Sequence, residues 1–297
     1  MSRLSDALAS GRFVVTAELN PPKGTDLTAL FEKAESLRGV VDAFNLTDSH
    51  RSQMSMSPLA VARLLVERGI DPILQMTCRD RNRIALQGDL LGAYALGVTN
   101  LLCMTGDHPI GGDHPDASPV FDLGAAELLK AISSLVSGSD IAGNELMGSP
   151  DLLAGAVVNP GAPDMDAEVR RMVEKIEAGA AFFQTQAVYD AAVFERFIER
   201  VRQYHVSIIA GHIMLKSAAM ARRFNDDLPG VEVPEEIVAE LNRAEGRKKE
   251  GGEIAARVIR EIRPMCQGVH IMAIGWESEI PSVLSAAGIT ENARSGA

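Results

Sequence analysis

The chain has 297 residues and 31.8 kDa, with 29 Lys and Arg against 40 Asp and Glu, a formal net charge of −11, and only 4% aromatic residues. With 46% hydrophobic residues it is globular in composition, and its acidic balance excludes a surface built to release counterions from nucleic acid or an anionic membrane. Three scattered cysteines, Cys78, Cys103 and Cys266, exclude a disulfide framework or a cysteine-built metal centre and point to reduced thiols in a cytoplasmic protein. The opening MSRLSDALASGRFVV carries no apolar leader and passes directly into a strand-like run, and no apolar stretch is long enough for a membrane span.

Short β-branched runs then alternate with helical periodicity along the chain. Strands are expected at 13–19, 42–47, 73–77, 100–104, 153–158, 181–185, 208–211 and 269–273. The intervening helices are expected at 26–38, from Ser57-Pro58 to Gly69, and at 82–96, 123–135, 166–178, 191–203, 217–224, 235–263 and 280–287. Gly251-Gly252 is expected to interrupt the long helix, with 246–252 a charged, mobile break and 291–297 a frayed tail.

Eight βα units with strands apolar enough to be buried on both faces predict an α/β fold, a (β/α)8 TIM barrel with residues 1–297 as a single domain. An open α/β sheet with extra units is the alternative, although neither GxGxxG nor GxxxxGK[ST] occurs.

In a barrel the chemistry gathers where strands end. Those ends carry Glu18 and Asn20, Thr47 to His50, Gln75, Thr77, Arg79 and Asp80, Thr105 to His108, Asn159, Gln184 and Gln186, His212 and Lys216, and Trp276 and Glu277. Glu18, a carboxylate in an apolar strand, suits a general acid, or else an ion pair with Arg79 or Lys216. Asp107 in Thr-Gly-Asp-His-Pro can point into the mouth or close an Asx turn, and the Gly/Pro loop after it is long enough for a lid. Gln184 and Gln186 share one side of a strand and suit recognition of a heterocycle edge. His50, His108, His114 and His212 show no ligand spacing, so no metal is expected. Met54, Met56, Met76 and Met104 can line a pocket or fill core.

Four of these segments, Glu18-Leu-Asn-Pro-Pro, Cys103-Met-Thr-Gly-Asp107, Glu177-Ala-Gly-Ala with Thr185-Gln186 and Asp190, and Ile209-Ala-Gly-His-Ile-Met, resemble the methylenetetrahydrofolate reductase family. The likeness runs over about 12–290. It implies flavin-dependent reduction of 5,10-methylenetetrahydrofolate to 5-methyltetrahydrofolate, or the reverse oxidation, on bound FAD. By matching positions, Glu18 is the general acid and Asp107 a catalytic residue beside flavin and pterin. Thr47, Gln75, Thr77 and Lys175 fall at flavin-binding positions, and Gln186, with Gln184, at the folate pterin.

Departures from the family pattern also show. Thr105 stands where typical bacterial members have arginine, and Ala239 and Leu241 where they have glutamine and phenylalanine. The resemblance thus implies a folate substrate and electrons from NAD(P)H or a protein donor, in a homo-oligomer or a redox-protein complex. The other classes left open are a folate- or corrinoid-linked methyltransferase barrel without flavin, a metal-dependent aldolase or hydrolase using His108 or His212, and a non-enzymatic subunit of a redox complex.

Overall fold

The computed structural model describes residues 2–243 and 248–289. Eight parallel strands close into a barrel in chain order. They are β1 (Val14–Leu19), β2 (Ala43–Leu46), β3 (Pro72–Thr77), β4 (Asn100–Met104), β5 (Leu153–Val158), β6 (Phe182–Ala187), β7 (Ser207–Ile213) and β8 (Gly268–Met272). β8 pairs back onto β1, with Thr16 beside His270, so no edge strand remains. The barrel is therefore the correct choice over the open sheet.

The helices are α1 (Arg3–Ala9), α2 (Thr28–Ser36), α3 (Pro58–Val66), α4 (Arg83–Ala95), α5 (Ala125–Val136), α6 (Met165–Glu177), α7 (Ala191–Val201), α8 (Ala218–Asp227), α9 (Glu235–Arg243), α10 (Lys248–Ile262) and α11 (Ile280–Ala286). Outward strand residues such as Val15, Ala17, Leu74, Met76 and Cys103 pack against their buried faces, forming the main core. None of the described helices is long and apolar enough to cross a membrane.

The chain start differs from the expected direct entry into a strand. Ser2 and Ser5 form a capping box that opens α1. Leu4 and Ala7 of this helix join Val14, Ala43, Ile73, Leu102, Phe182 and Ile209 in a second apolar cluster that fills the barrel below the site. Seven residues give too little periodicity to read as a helix, but the paired serines were a legible start signal.

A second difference concerns Gly251 and Gly252, which lie inside α10 rather than breaking it. A Cβ on Gly251 would come within 2.5 Å of the Leu215 carbonyl oxygen and 2.7 Å of the Trp276 ring. The glycine is there for close packing, not to end a helix. Of the expected break, 248–252 are therefore helical, while 246–247 and the expected tail lie outside the described residues.

Candidate active site

Alternate residues of each strand point into the barrel, and the upper ones build its mouth. A cavity of about 450 Å³ opens there, lined by Glu18, Gln75, Thr77, Asp107, Lys175, Gln184 and Gln186, which are seven of the eight residues expected at the site. Thr47, the eighth, does not line it. Its hydroxyl donates to Asn20 Oδ1 at 2.9 Å, and the side chain is buried. A larger open groove of about 800 Å³ runs along α7, but it contains none of these residues.

The cavity rests on a polar floor. Asn45 Nδ2 donates to Gln184 Oε1 at 2.7 Å, and Gln184 Nε2 returns the bond to Asn45 Oδ1 at 3.1 Å. Both ends of the Gln184 amide are thereby held, as buried amides require. Beside them Thr16 Oγ1 lies 2.9 Å from His270 Nδ1. His270 Nε2 is buried without a hydrogen-bond partner, 4.0 Å from Glu18 Oε2. His270 also lines the cavity; it lies within β8, whereas the residues expected from that strand, Trp276 and Glu277, stand beyond its end. The inward alternation of Gly-Val-His-Ile-Met was the signal that could have found it.

Glu18 makes no ion pair with Arg79 or Lys216. The Arg79 guanidinium is spent on Asp80, on the Asp48 and Ser49 carbonyls and on the Ser52 hydroxyl. Lys216 sits over the Trp276 ring, 5.6 Å from its centroid. Trp276 itself is buried, and Glu277 pairs with Lys33, so neither faces the cavity.

Other cavity groups divide into those with partners and those without. Asp48 Oδ2 accepts from the Thr77 backbone N–H and hydroxyl, both at 2.9 Å, and from Arg81. Lys175 Nζ donates to the Val157 carbonyl at 2.7 Å, and burial pulls its pKa below the usual lysine range. In contrast, Gln75 as a residue is only 8% exposed, and its side chain makes no hydrogen bond among the described residues. Gln186 Oε1 accepts from the Ala187 N–H at 3.1 Å, leaving its amide nitrogen unpartnered among those residues.

A bulge presents Gln186 at the rim. The β6–β7 register shifts between Gln184 and Ala187. The Thr185 hydroxyl accepts from the Gly211 N–H at 2.9 Å and donates to the Gln186 carbonyl at 2.7 Å. A Cβ on Gly211 would stand 2.3 Å from the Thr185 carbonyl oxygen, so glycine permits the bulge. Gly106, before Asp107, has a left-handed φ of +93°, and its Cβ would fall 2.9 Å from that of Thr77. Gly106→Ala is therefore expected to destabilise the fold by about 1–3 kcal/mol and to displace Asp107, read as a lower denaturant midpoint with reduced kcat.

The long loop after β4 is pinned across one side of the mouth. Ser52 Oγ donates to the Asp107 carbonyl at 2.8 Å, and the Met54 N–H donates to Asp113 Oδ1 at 3.0 Å. Asp113 also pairs with Lys23, whose ammonium, with His114, holds its carboxyl well below the usual range.

The remaining candidates lie elsewhere. His108 and His114 are exposed in this loop. Among the described residues no three His, Cys, Asp or Glu side chains gather to hold a metal. Cys78, Cys103 and Cys266 are buried, and burial pushes the Cys78 thiol up to about 11 and the Cys266 thiol to about 12. Met104 lines the cavity, whereas Met76 is in the outer core and Met54 is exposed.

His212 is fully buried against the Tyr189 ring, and its Nδ1 lies 3.1 Å from the Val188 carbonyl. Burial lowers its pKa to about 4. The unfolded imidazole titrates near ~6.5, so unfolding takes up a proton between those values. Stability should be full above the unfolded pKa, fall as pH drops towards about 4, and level off below it. Denaturant titrations at successive pH values should show this decline, and His212→Asn should flatten it.

Fold and mouth together define a (β/α)8 barrel with a polar-lined cavity at the C-terminal ends of its strands. The chain belongs to the methylenetetrahydrofolate reductase family: the family model described as "Methylenetetrahydrofolate reductase" matches residues 3–288. It is 24% identical to methylenetetrahydrofolate reductase 2 of Schizosaccharomyces pombe, over 96% of this chain and 47% of that protein. It is 25% identical to 5,10-methylenetetrahydrofolate reductase of Salmonella typhimurium, over 86% and 85% of the two chains. The chain thus spans about half the length of the yeast relative and 35% of a probable NADPH-dependent reductase of Caenorhabditis elegans.

Among solved structures, EDTA monooxygenase from Chelativorans sp. BNC1 aligns with a TM-score of 0.59 at 12% identity, over 96% of both chains. That likeness shows the fold alone. At the two α9 positions that depart from typical members, Leu241 is buried in the core and Ala239 is exposed, and neither lines the cavity.

Proposed function

We propose that this protein interconverts 5,10-methylenetetrahydrofolate and 5-methyltetrahydrofolate, with FAD bound in the barrel mouth and electrons taken from NAD(P)H or a protein donor. The observation that carries this reading is the Thr16–His270–Glu18 array in the wall of a cavity that also holds the unpartnered Gln75 amide and the free amide nitrogen of Gln186.

The residues present fit a flavin ring. The Gln75 amide, without a hydrogen-bond partner among the described residues, would offer a donor and an acceptor to a polar heterocycle edge, with Thr77, Asp107 and Lys175 also lining the cavity. FAD supplies the two-electron chemistry when bound.

The chain's own groups handle substrate and proton. Gln186, presented by the bulge, reads the pterin edge. Glu18 gives a proton to N10 of the folate as the methylene bridge opens, directly or through water. His270, held by Thr16, stands on the neighbouring strand with its Nε2 4.0 Å from the Glu18 carboxyl. Asp107 places negative charge where the opened bridge carries positive charge.

Anaerobic mixing of the FAD-loaded protein with 5-methyltetrahydrofolate tests the reading. Bleaching of the flavin absorbance is expected, and it requires no nicotinamide. A protein that takes up no FAD, or whose flavin does not bleach, overturns the proposal.

A further inference from the structure

Two residues above the ends of β7 and β8 are held in place without being used by the chain itself. Lys216 is half-buried, and its ammonium makes no hydrogen bond or ion pair among the described residues. Its nitrogen stands 5.6 Å from the Trp276 ring centroid and 3.6 Å from where a Cβ on Gly275 would lie. Glu277, the acid that follows Trp276, is already engaged. Its Oε1 accepts from the Gly275 N–H at 3.0 Å and from Lys33 at 3.1 Å. An ammonium drawn partly out of water without a counter-charge is costly unless something else supplies one.

Ile274 is the second. It lies in the turn after β8, two residues beyond Met272, which lines the cavity. Its φ of +49° is left-handed, a conformation that a β-branched residue adopts only at a cost. The residue is nevertheless 48% exposed, so burial within the chain does not offset that strain. The two turns are tied together, because the Met214 N–H donates to the Met272 carbonyl at 3.1 Å. Behind them, Gly251 of α10 packs closely against Leu215 and Trp276.

We propose that Ile274 and Lys216 form the subsite for the aminobenzoylglutamate tail of the folate, with Ile274 against the ring and Lys216 on a glutamate carboxylate. The proposal rests on the reductase reading, which puts the folate N10 at Glu18 on β1 and the pterin edge at Gln186 on β6. The tail starts at N10, so it departs past β1. One neighbour of β1 is β2, and the loop after β4 is pinned across that side. Ser52 bonds the Asp107 carbonyl there, and the Met54 N–H and Lys23 both bind Asp113. The other neighbour is β8, whose following turn carries Ile274, with Lys216 beside it at Gly275. The chemistry matches in order: an apolar ring and then carboxylates, against an exposed apolar side chain and then an ammonium with its donors free. In a chain of net charge −11, a cation without an acid partner is the group that can hold such a tail.

Anaerobic calorimetry on the protein loaded with reduced FAD tests this, using 5-methyltetrahydrofolate and its glutamyl diamide, in which both carboxylates are neutral. The wild type should bind the folate about tenfold more tightly than the diamide, as expected for one charge-assisted hydrogen bond. Lys216→Met, which keeps the stem beside Trp276, should bind both compounds alike, at the level of the diamide. Ile274→Gly should weaken both several-fold and keep the discrimination, because it touches the ring and not the charge. A wild type that binds the two compounds equally, a Lys216→Met protein that still discriminates, or an Ile274→Gly protein with wild-type affinities overturns the subsite and leaves the reductase reading standing. A wild type that binds neither compound removes the reductase reading, and the subsite with it.

Discussion

On the proposed mechanism, Glu18→Gln is expected to lower folate turnover by about 10²–10⁴-fold, the usual range for losing a general acid, with FAD uptake and the fold retained. The amide is nearly isosteric and can still occupy the place 4.0 Å from His270 Nε2, but it has no proton to give at neutral pH. The glutamine should therefore act on kcat rather than on cofactor content. Stopped-flow reduction by the nicotinamide or protein donor should proceed in the variant, and only the folate half-reaction should slow. Full folate turnover in Glu18→Gln would remove Glu18 from the mechanism. His270→Asn should produce a smaller loss of the same kind, because it acts through the carboxyl it faces.

The second large effect lies below the site. Phe182→Ala is expected to destabilise the protein by about 3–5 kcal/mol, the range for emptying a buried phenylalanine position. Phe182 is fully buried in the inner cluster with Leu4, Val14, Ile73, Leu102 and Ile209. Its ring occupies the space that β5 leaves by carrying Gly155, whose Cβ would stand 2.3 Å from a ring atom. Size is thus exchanged between neighbouring strands. Gly155→Ala alone should also destabilise, by overpacking, whereas the Gly155→Ala, Phe182→Ala double variant should cost less than the sum of the two. Denaturant midpoints of the four proteins close that cycle, and simple additivity would refute the exchange.

Much of this molecule was legible in the order of its residues. The alternation of β-branched runs with helical periods located all eight strands to within two residues, because parallel barrel strands are buried on both faces and stand out as apolar runs. It also placed Glu18, Gln75, Thr77, Asp107, Lys175, Gln184 and Gln186 at one mouth, since strand ends in such a barrel converge. What failed did so for local reasons. Gly251 looked like a break because glycine weakens an isolated helix, but close approach to Leu215 and Trp276 rewards it in the folded chain. Thr47, which the resemblance sets at a flavin-binding position, lies outside the cavity lining with its hydroxyl on Asn20, a placement fixed by a contact between two strand ends.

Sequence by itself determined the eight-unit barrel, most of the polar residues at its mouth and the family, because periodicity and residue type are properties of the chain. Only the tertiary structure decided how those groups are shared out. It ties Gln184 to Asn45 and Thr77 to Asp48, and leaves Gln75 and the Gln186 amide nitrogen free. It brings His270 from the last strand to Glu18 on the first, a pairing that exists only because β8 closes onto β1. A hydrogen bond depends on distance and direction between atoms far apart in the chain, and barrel closure is what sets both.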